Sequence, residues 1–251
     1  MRNLIAILRR ELYAYFVTPI AYFVLIPFLF VCGFFFWAAF SFFSNPRAAI
    51  PNAPNELMAG MMQTMSMILL LVTPILTMRL FAEEKRTGTM ELLMTSPVRE
   101  VEVVLGKYLA SLGLMGLMLL STLPYPLYVH RYGNPDNGPI IAGYLGVFLL
   151  GSCLIALGLM ISAMTRNQIV AAVVTFGVGL LLWVITFLPA EWGAFAGYRT
   201  LRSALVYLSL QQHLENFTRG VIVVKDLVFY LSFAVVCLYL TTTAVLSSRW
   251  R

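Results

Sequence analysis

The sequence predicts an all-α membrane protein with six transmembrane helices, and three observations carry that expectation. Hydrophobic residues make up 60% of the 251-residue chain and the mean hydropathy is +0.85, whereas a soluble domain is about 45–50% apolar. Six stretches meet the length of about 20 apolar residues that a helix needs to cross the hydrocarbon core. Charged residues are only 11% of the chain, and none lies near the centre of those stretches, where a charge would be costly.

The elements follow in order. Before the first span, residues 1–18 place Leu4, Ile5, Leu8, Leu12, Tyr15 and Phe16 at helical spacing against Asn3, Arg9, Arg10 and Glu11. That is the pattern of an amphipathic helix lying in the membrane interface, with a simple positive orientation signal as the alternative. Pro19 separates it from a first span at Ile20–Phe43, which is too long for a signal-peptide core and is expected to stay as a signal anchor. The other spans are Leu57–Met78, Val103–Val129, Ile140–Met164, Ile169–Leu188 and Leu227–Leu246. Ser44–Glu56 and His130–Pro139 read as irregular outer turns rich in Pro and Asn, and Thr165–Gln168 as a tight cytosolic turn. The segment 189–226 is long and moderately polar. With Leu201, Leu205 and Leu208 on one face and Gly220 as a stop, it reads as outer interfacial or re-entrant helices. Pro27, Pro74 and Pro124 are expected to kink their helices.

Charge sets the orientation. The net charge of +6 would suit nucleic acid, but its distribution excludes that partner. With six spans and a cytosolic N-terminus, eleven of the seventeen basic residues fall on the cytosolic side. Short loops carry the bias most cleanly, so both termini are expected in the cytosol. Cys32, Cys153 and Cys237 all fall inside apolar spans and form no CxxC, so they read as small core residues. Pairs of small residues four apart (Ala142 and Gly146, Gly158 and Ser162, Thr175 and Gly179) read as close packing within the chain rather than as a dimer seam.

The densest charge in the chain is Arg79–Val98, between the second and third spans. Arg79–Arg86 is expected to continue the second span as helix, with Gly88 as its left-handed stop. Thr89 then caps a short helix with Glu91 in its first turn. Met90, Leu93 and Met94 form one apolar face of that helix, and Ser96-Pro97 starts the next. So short a helix is marginal alone and needs something to pack on.

Three readings of this segment compete. It could be a plain solvated loop. Glu83 and Glu84 could be paired carboxylates of a membrane protease, but after three intervening residues stands Gly88, where the glutamate-type prenyl-protein proteases have Arg. H-E-x-x-H and G-x-S-x-G motifs are missing, and His130 and His213 fall in different outer segments, so neither catalysis nor a metal site is supported. The third reading is a coupling helix, a cytosolic knob that fits a groove on a soluble partner.

The knob carries a family resemblance. Ala82, Glu83, Glu84, Lys85, Gly88, Thr89, Glu91, Leu93 and Pro97 resemble the pattern A-E-E-(K/R)-x-x-G-T-x-E-x-L-L-x-x-P of the first cytosolic loop in the ABC-2 class of ABC transporter permeases. Leu105-Gly106-Lys107 is similar too, and the likeness in layout extends over residues 1–251 as one transmembrane domain. Within the class, Pro19-Ile-Ala-Tyr22 and Phe217-Thr-Arg-Gly-Val221 resemble permeases associated with gliding motility, and permeases of nitrous-oxide-reductase maturation are nearly as similar.

The resemblance implies a permease subunit of an ATP-driven exporter in a bacterial cytoplasmic (inner) membrane, dimerising with a second copy or a homologous permease. It also allows an accessory periplasmic or membrane subunit. No G-x-x-x-x-G-K-[ST] phosphate loop occurs and six spans leave no room for a nucleotide-binding domain, so ATP and magnesium are expected on a separate ATPase. The expected interface with that ATPase is Glu83, Glu84, Arg86, Gly88, Thr89, Met90, Glu91, Leu93, Met94 and Pro97, with no catalytic, cofactor or metal residue in this chain. The alternative is a membrane anchor that recruits a soluble complex and transports nothing.

Overall fold

The computed structural model describes residues 2–43, 52–89, 99–187 and 206–248, and these are helical with no strand among them. Helix α1 spans Arg2–Val17 and α2 spans Ile20–Phe43, with Thr18-Pro19 as the break between them. Proline cannot donate into the ladder and pushes its predecessor away from helical geometry. Helix α3 covers Ala53–Thr77, α4 Ala82–Thr87, α5 Glu100–Leu120 and α6 Pro124–Tyr132. Helix α7 runs Asn137–Met164 and α8 Gln168–Val184, the latter finished by a short 3-10 turn at Ile185–Phe187. Helix α9, Leu210–Thr218, and α10, Val224–Ser248, complete the described chain. Six segments are long and apolar enough to cross a membrane: Ile20–Phe43, Ala53–Thr87, Glu100–Tyr132, Asn137–Met164, Gln168–Phe187 and Val224–Ser247. They match the six expected spans to within four residues at each end, except that the second runs nine residues further, to Thr87.

Helix α7 is the axis of the bundle, packed on α3, α5, α8, α9 and α10. Its small residues make this close packing within the chain. A Cβ at Gly146 would stand 2.7 Å from the Phe217 Cβ of α9, and one at Gly158 would strike the Thr77 hydroxyl of α3. Gly179 of α8 receives Leu70 of α3 in the same way, at 2.8 Å. Cys32, Cys153 and Cys237 are buried and free, as the apolar runs predict.

Several expectations are modified. The third span is interrupted at Ser121–Leu123, with Pro124 opening a new helix instead of kinking one. The Tyr144 hydroxyl donates to the Thr122 carbonyl that the break exposes, at 3.1 Å. The outer turn expected over His130–Pro139 shrinks to Gly133–Asp136 because α6 runs to Tyr132. It is pinned by Asn55, whose amide donates to the Asp136 carboxylate and accepts from the Asp136 N–H, both at 2.9 Å. The turn after Met164 forms as expected. Asn167 caps α8 by accepting from the N–H groups of Ile169 and Val170 at 2.9 and 3.4 Å. Leu201 and Leu205 lie outside the described residues, and Leu208 is in a turn rather than on a helix. Gly220 does stop a helix, α9, with φ +82°.

Candidate functional site

Glu83, Glu84, Arg86, Gly88 and Thr89 of the expected interface are described; Met90, Glu91, Leu93, Met94 and Pro97 lie outside the described residues. Gly88 ends α4 at φ +75°, the left-handed conformation that glycine adopts without penalty. The Thr89 hydroxyl turns back on α4, 3.0 Å from the Thr87 hydroxyl and 3.4 Å from the Glu84 carbonyl it donates to. Arg86 is exposed.

The base of this segment differs from expectation. The second span does not run straight into α4 but breaks over Met78–Phe81, and the cause is a residue 80 positions away. In an unbroken helix the Ala82 N–H would bond the Met78 carbonyl. Here the Ser162 hydroxyl of α7 is inserted between them. It accepts from the N–H groups of Phe81 and Ala82, both at 3.1 Å, and donates to the Met78 carbonyl at 3.2 Å. The Lys85 ammonium adds a hydrogen bond to the Ala163 carbonyl at the end of α7. Carbonyls at a helix C-terminus attract cations, so lysine suits this place. Helix α4 is thereby fastened to the end of α7.

A second fastening joins α4 to α1 and α5. The Lys107 side chain of α5 is only 2% exposed, and its ammonium reaches Glu84 Oε1 at 2.8 Å and Glu11 Oε1 at 3.2 Å. Arg10 supports Glu11 at 2.6 Å and stands 3.6 Å from Glu84. Burial would raise the Glu11 carboxyl, but Lys107 and Arg10 outweigh it and hold the group below the usual carboxylate range. One buried ammonium thus links three helices. Glu84 Oε2 is buried with no hydrogen-bond partner.

Helix α1 can dock here because Gly106 of α5 has no Cβ. One built there would stand 2.7 Å from Ile7 Cγ2. Ile7 and Tyr15 are buried, while Ile5, Tyr13 and Phe16 stay exposed, which suits a helix with one face on protein and another toward lipid. The Tyr15 hydroxyl lies 3.0 Å from the Ser111 hydroxyl. Glu11, Lys107 and Ser162 form this site across sequence separations of about 80 to 100 residues. Only the motif-like Leu105-Gly106-Lys107 and the small-residue pairing of Ser162 signalled two of them.

A further polar knot lies toward the other half of α7, where Gly146 meets Leu214 and Phe217 of α9. His213 of α9 and Asp226 of α10 are both buried, Nδ1 to Oδ1 at 2.6 Å. Asn216 donates to the other Asp226 oxygen at 2.7 Å, and His213 Nε2 lies 2.9 Å from the Tyr207 carbonyl oxygen. Phe229 stacks on the imidazole at 4.0 Å. Both ring nitrogens are occupied and neither faces a nucleophile, so the arrangement clasps α9 to α10. His130 is engaged elsewhere, by the Pro126 carbonyl and Asn137, both at 2.8 Å. Among the described residues no three His, Cys, Asp or Glu side chains are grouped to hold a metal.

At the first site the chemistry is ion pairing: Glu84 and Glu11 share the Lys107 ammonium. The site is a junction at which the charged helix α4 is tied to α7, α5 and α1. No curated protein matches the chain. The model of a family described as ABC-2 family transporter protein matches residues 44–192, more than half of the chain and including Arg79–Val98. The chain belongs to the ABC-2 transporter family and is an ABC transporter permease.

Proposed function

We propose that this chain is the permease subunit of an ATP-driven exporter, worked by a separate ATPase that docks on Arg79–Val98. The observation that supports the reading best is the double fastening of α4: Ser162 and Lys85 tie it to α7, and Glu84 ties it through Lys107 to α5 and α1. A displacement of the knob by nucleotide binding in the partner would be passed to three helices together, because packed interfaces move between discrete arrangements rather than deforming smoothly. A plain solvated loop would need none of these buried contacts. Hydrolysis, with its ATP and magnesium, belongs to the ATPase. A second permease copy or a homologue completes the transporter in the cytoplasmic membrane, with both termini in the cytosol. Gliding-motility or nitrous-oxide-reductase maturation systems are the context the local resemblances favour.

The test is to purify the chain from its native membrane, identify an accompanying protein that carries a phosphate loop, and reconstitute the pair in vesicles. ATP hydrolysis by the pair is expected to depend on this chain and to fall in Ser162→Ala, whose α4 is loosened from α7. Hydrolysis at the same rate with and without this chain would leave it the role of an anchor.

A further inference from the structure

The clasp between α9 and α10 asks for more hydrogen-bond donors than a neutral imidazole can supply. His213 Nε2 lies 2.9 Å from the Tyr207 carbonyl oxygen, which can only accept, so this nitrogen carries a proton. Nδ1 lies 2.6 Å from Asp226 Oδ1, and Asn216 donates to Oδ2 at 2.7 Å. Both carboxylate oxygens accept, the pattern of the ionised group, so Nδ1 carries a proton as well. A neutral imidazole has one N–H, and this ring uses two. We propose that His213 and Asp226 form a proton-binding site, and that the bound proton latches α9 to α10 and to the turn at Tyr207.

The surroundings offer the pair no other charge. Phe229 stacks on the imidazole at 4.0 Å, and the rings of Tyr207 and Tyr230 meet it edge-on at 5.2 and 6.1 Å. The Tyr230 hydroxyl is spent on the Leu210 carbonyl at 2.7 Å. Lys225 places its ammonium over the Tyr207 ring, 4.6 Å from its centre. Among the described residues the ion pair of Asp226 is with His213. The other elements packed on α9 meet it with uncharged groups. Helix α7 sets Gly146 against Leu214 and Phe217, α3 sets Gln63 and Ser66 against Gln211, and the 3-10 turn after α8 sets Thr186 against Ser209. Glu215 and Arg219 pair with each other on the exposed side of α9.

Loss of the proton leaves one ring nitrogen bare, and either the Tyr207 carbonyl or the Asp226 carboxylate loses its donor. Helix α9 keeps its apolar seat on α7 but is no longer clasped to α10. In the opened form Asp226 is a free carboxylate and His213 a free imidazole, mostly neutral above about pH 6.5. Closing therefore takes up one proton in that range, and the closed population follows proton activity. On the expected topology α9 lies on the outer side, so the outer pH sets the latch. The local opening itself admits the proton to a buried site.

The test is hydrogen exchange on the full chain in lipid nanodiscs, read as protection of the α9 amides relative to an unstructured peptide at the same pH. Between about pH 6.5 and about pH 8.5, protection is expected to fall about tenfold per pH unit, while the middle of α7 stays constant. Asp226→Asn is expected to abolish that slope. Its amide can donate to Nδ1, a neutral imidazole can donate to Tyr207, and the clasp then closes without an added proton. Parent protection that does not change with pH, or the parent's slope retained in Asp226→Asn, would overturn the proposal. A second measurement leaves the clasp untouched. His130→Gln makes His213 the one histidine of the chain, and nitrogen NMR at about pH 7.5, where a free imidazole is mostly neutral, should show protons on both ring nitrogens. A bare ring nitrogen there would overturn the proposal even if Asp226→Asn failed to fold. Neither readout needs an ATPase, so these outcomes are separate from those of the coupling proposal.

Discussion

Lys107→Met removes a cation buried between two carboxylates on different helices. Breaking a buried ion pair from one side typically costs about 3–5 kcal/mol, because the partner stays buried and uncompensated. Two features place this case toward the lower end. The Glu11 and Glu84 side chains are 14% and 18% exposed, so water reaches them in part. Arg10 stays 2.6 Å from Glu11, but its own side chain is 55% exposed, and such pairs contribute about 0–1 kcal/mol. The expected loss is therefore about 3 kcal/mol. At the roughly 2–4 °C per kcal/mol of a chain this size, the melting temperature falls by roughly 6–12 °C. A thiol-reactive fluorophore is the natural probe, since all three cysteines are buried and react only on unfolding. Glu84→Gln alone keeps Lys107 paired with Glu11 and is expected to cost about 1 kcal/mol. Combining the two substitutions removes a carboxylate that Lys107→Met had stranded, so the double variant should be more stable than the sum of the two losses implies. A Lys107→Met melting point unchanged from the parent, or strict additivity in the double variant, would refute the reasoning.

Ser162→Ala deletes the hydroxyl inserted between Met78 and the N–H groups of Phe81 and Ala82, leaving buried donors unmet at about 1–3 kcal/mol; hydrogen exchange should quicken at 81 and 82 and stay slow in the middle of α7. Glu11 is held below its ordinary range, so the stability it contributes is complete above about pH 4.3, the unperturbed value, and is lost as pH falls through the depressed one. Melting temperature should drop on acidification below about pH 4, and Glu11→Gln should remove part of that drop. For topology, single cysteines at Asn52 and Arg219 should react with an impermeant reagent from outside, and one at Arg86 should not. All three sites are exposed, whereas His213 is buried and would report nothing.

What could be read from the sequence was what local composition determines. Apolar run length located all six spans, Gly88 marked a left-handed stop, and the glycines at 146, 158 and 179 marked close approaches inside the chain. What escaped depends on partners distant along the chain. The break over Met78–Phe81 needs Ser162, which by type alone reads as one more small residue in an apolar helix. Glu11 looks like part of a polar face until Lys107 stands beneath it. Lys107 in turn looks like a positive-inside marker, because nothing local shows that its ammonium will be buried. His213 sits in a moderately polar stretch, yet Asp226 and Phe229 enclose it.

The account turns on whether Arg79–Val98 is where the ATPase sits, and Leu93→Asp tests that most directly. On the apolar face that the spacing of Met90, Leu93 and Met94 predicts, an aspartate would bury an unpaired charge against the partner, at a cost of several kcal/mol, while a position between the second and third apolar runs of the sequence should leave insertion intact. With the permease and its ATPase co-expressed and purified through the permease, the parent should carry the ATPase at fixed stoichiometry. The variant should elute at the permease's own volume, its melting temperature near the parent's, with the ATPase gone. ATPase retained at the parent's stoichiometry would contradict the coupling assignment.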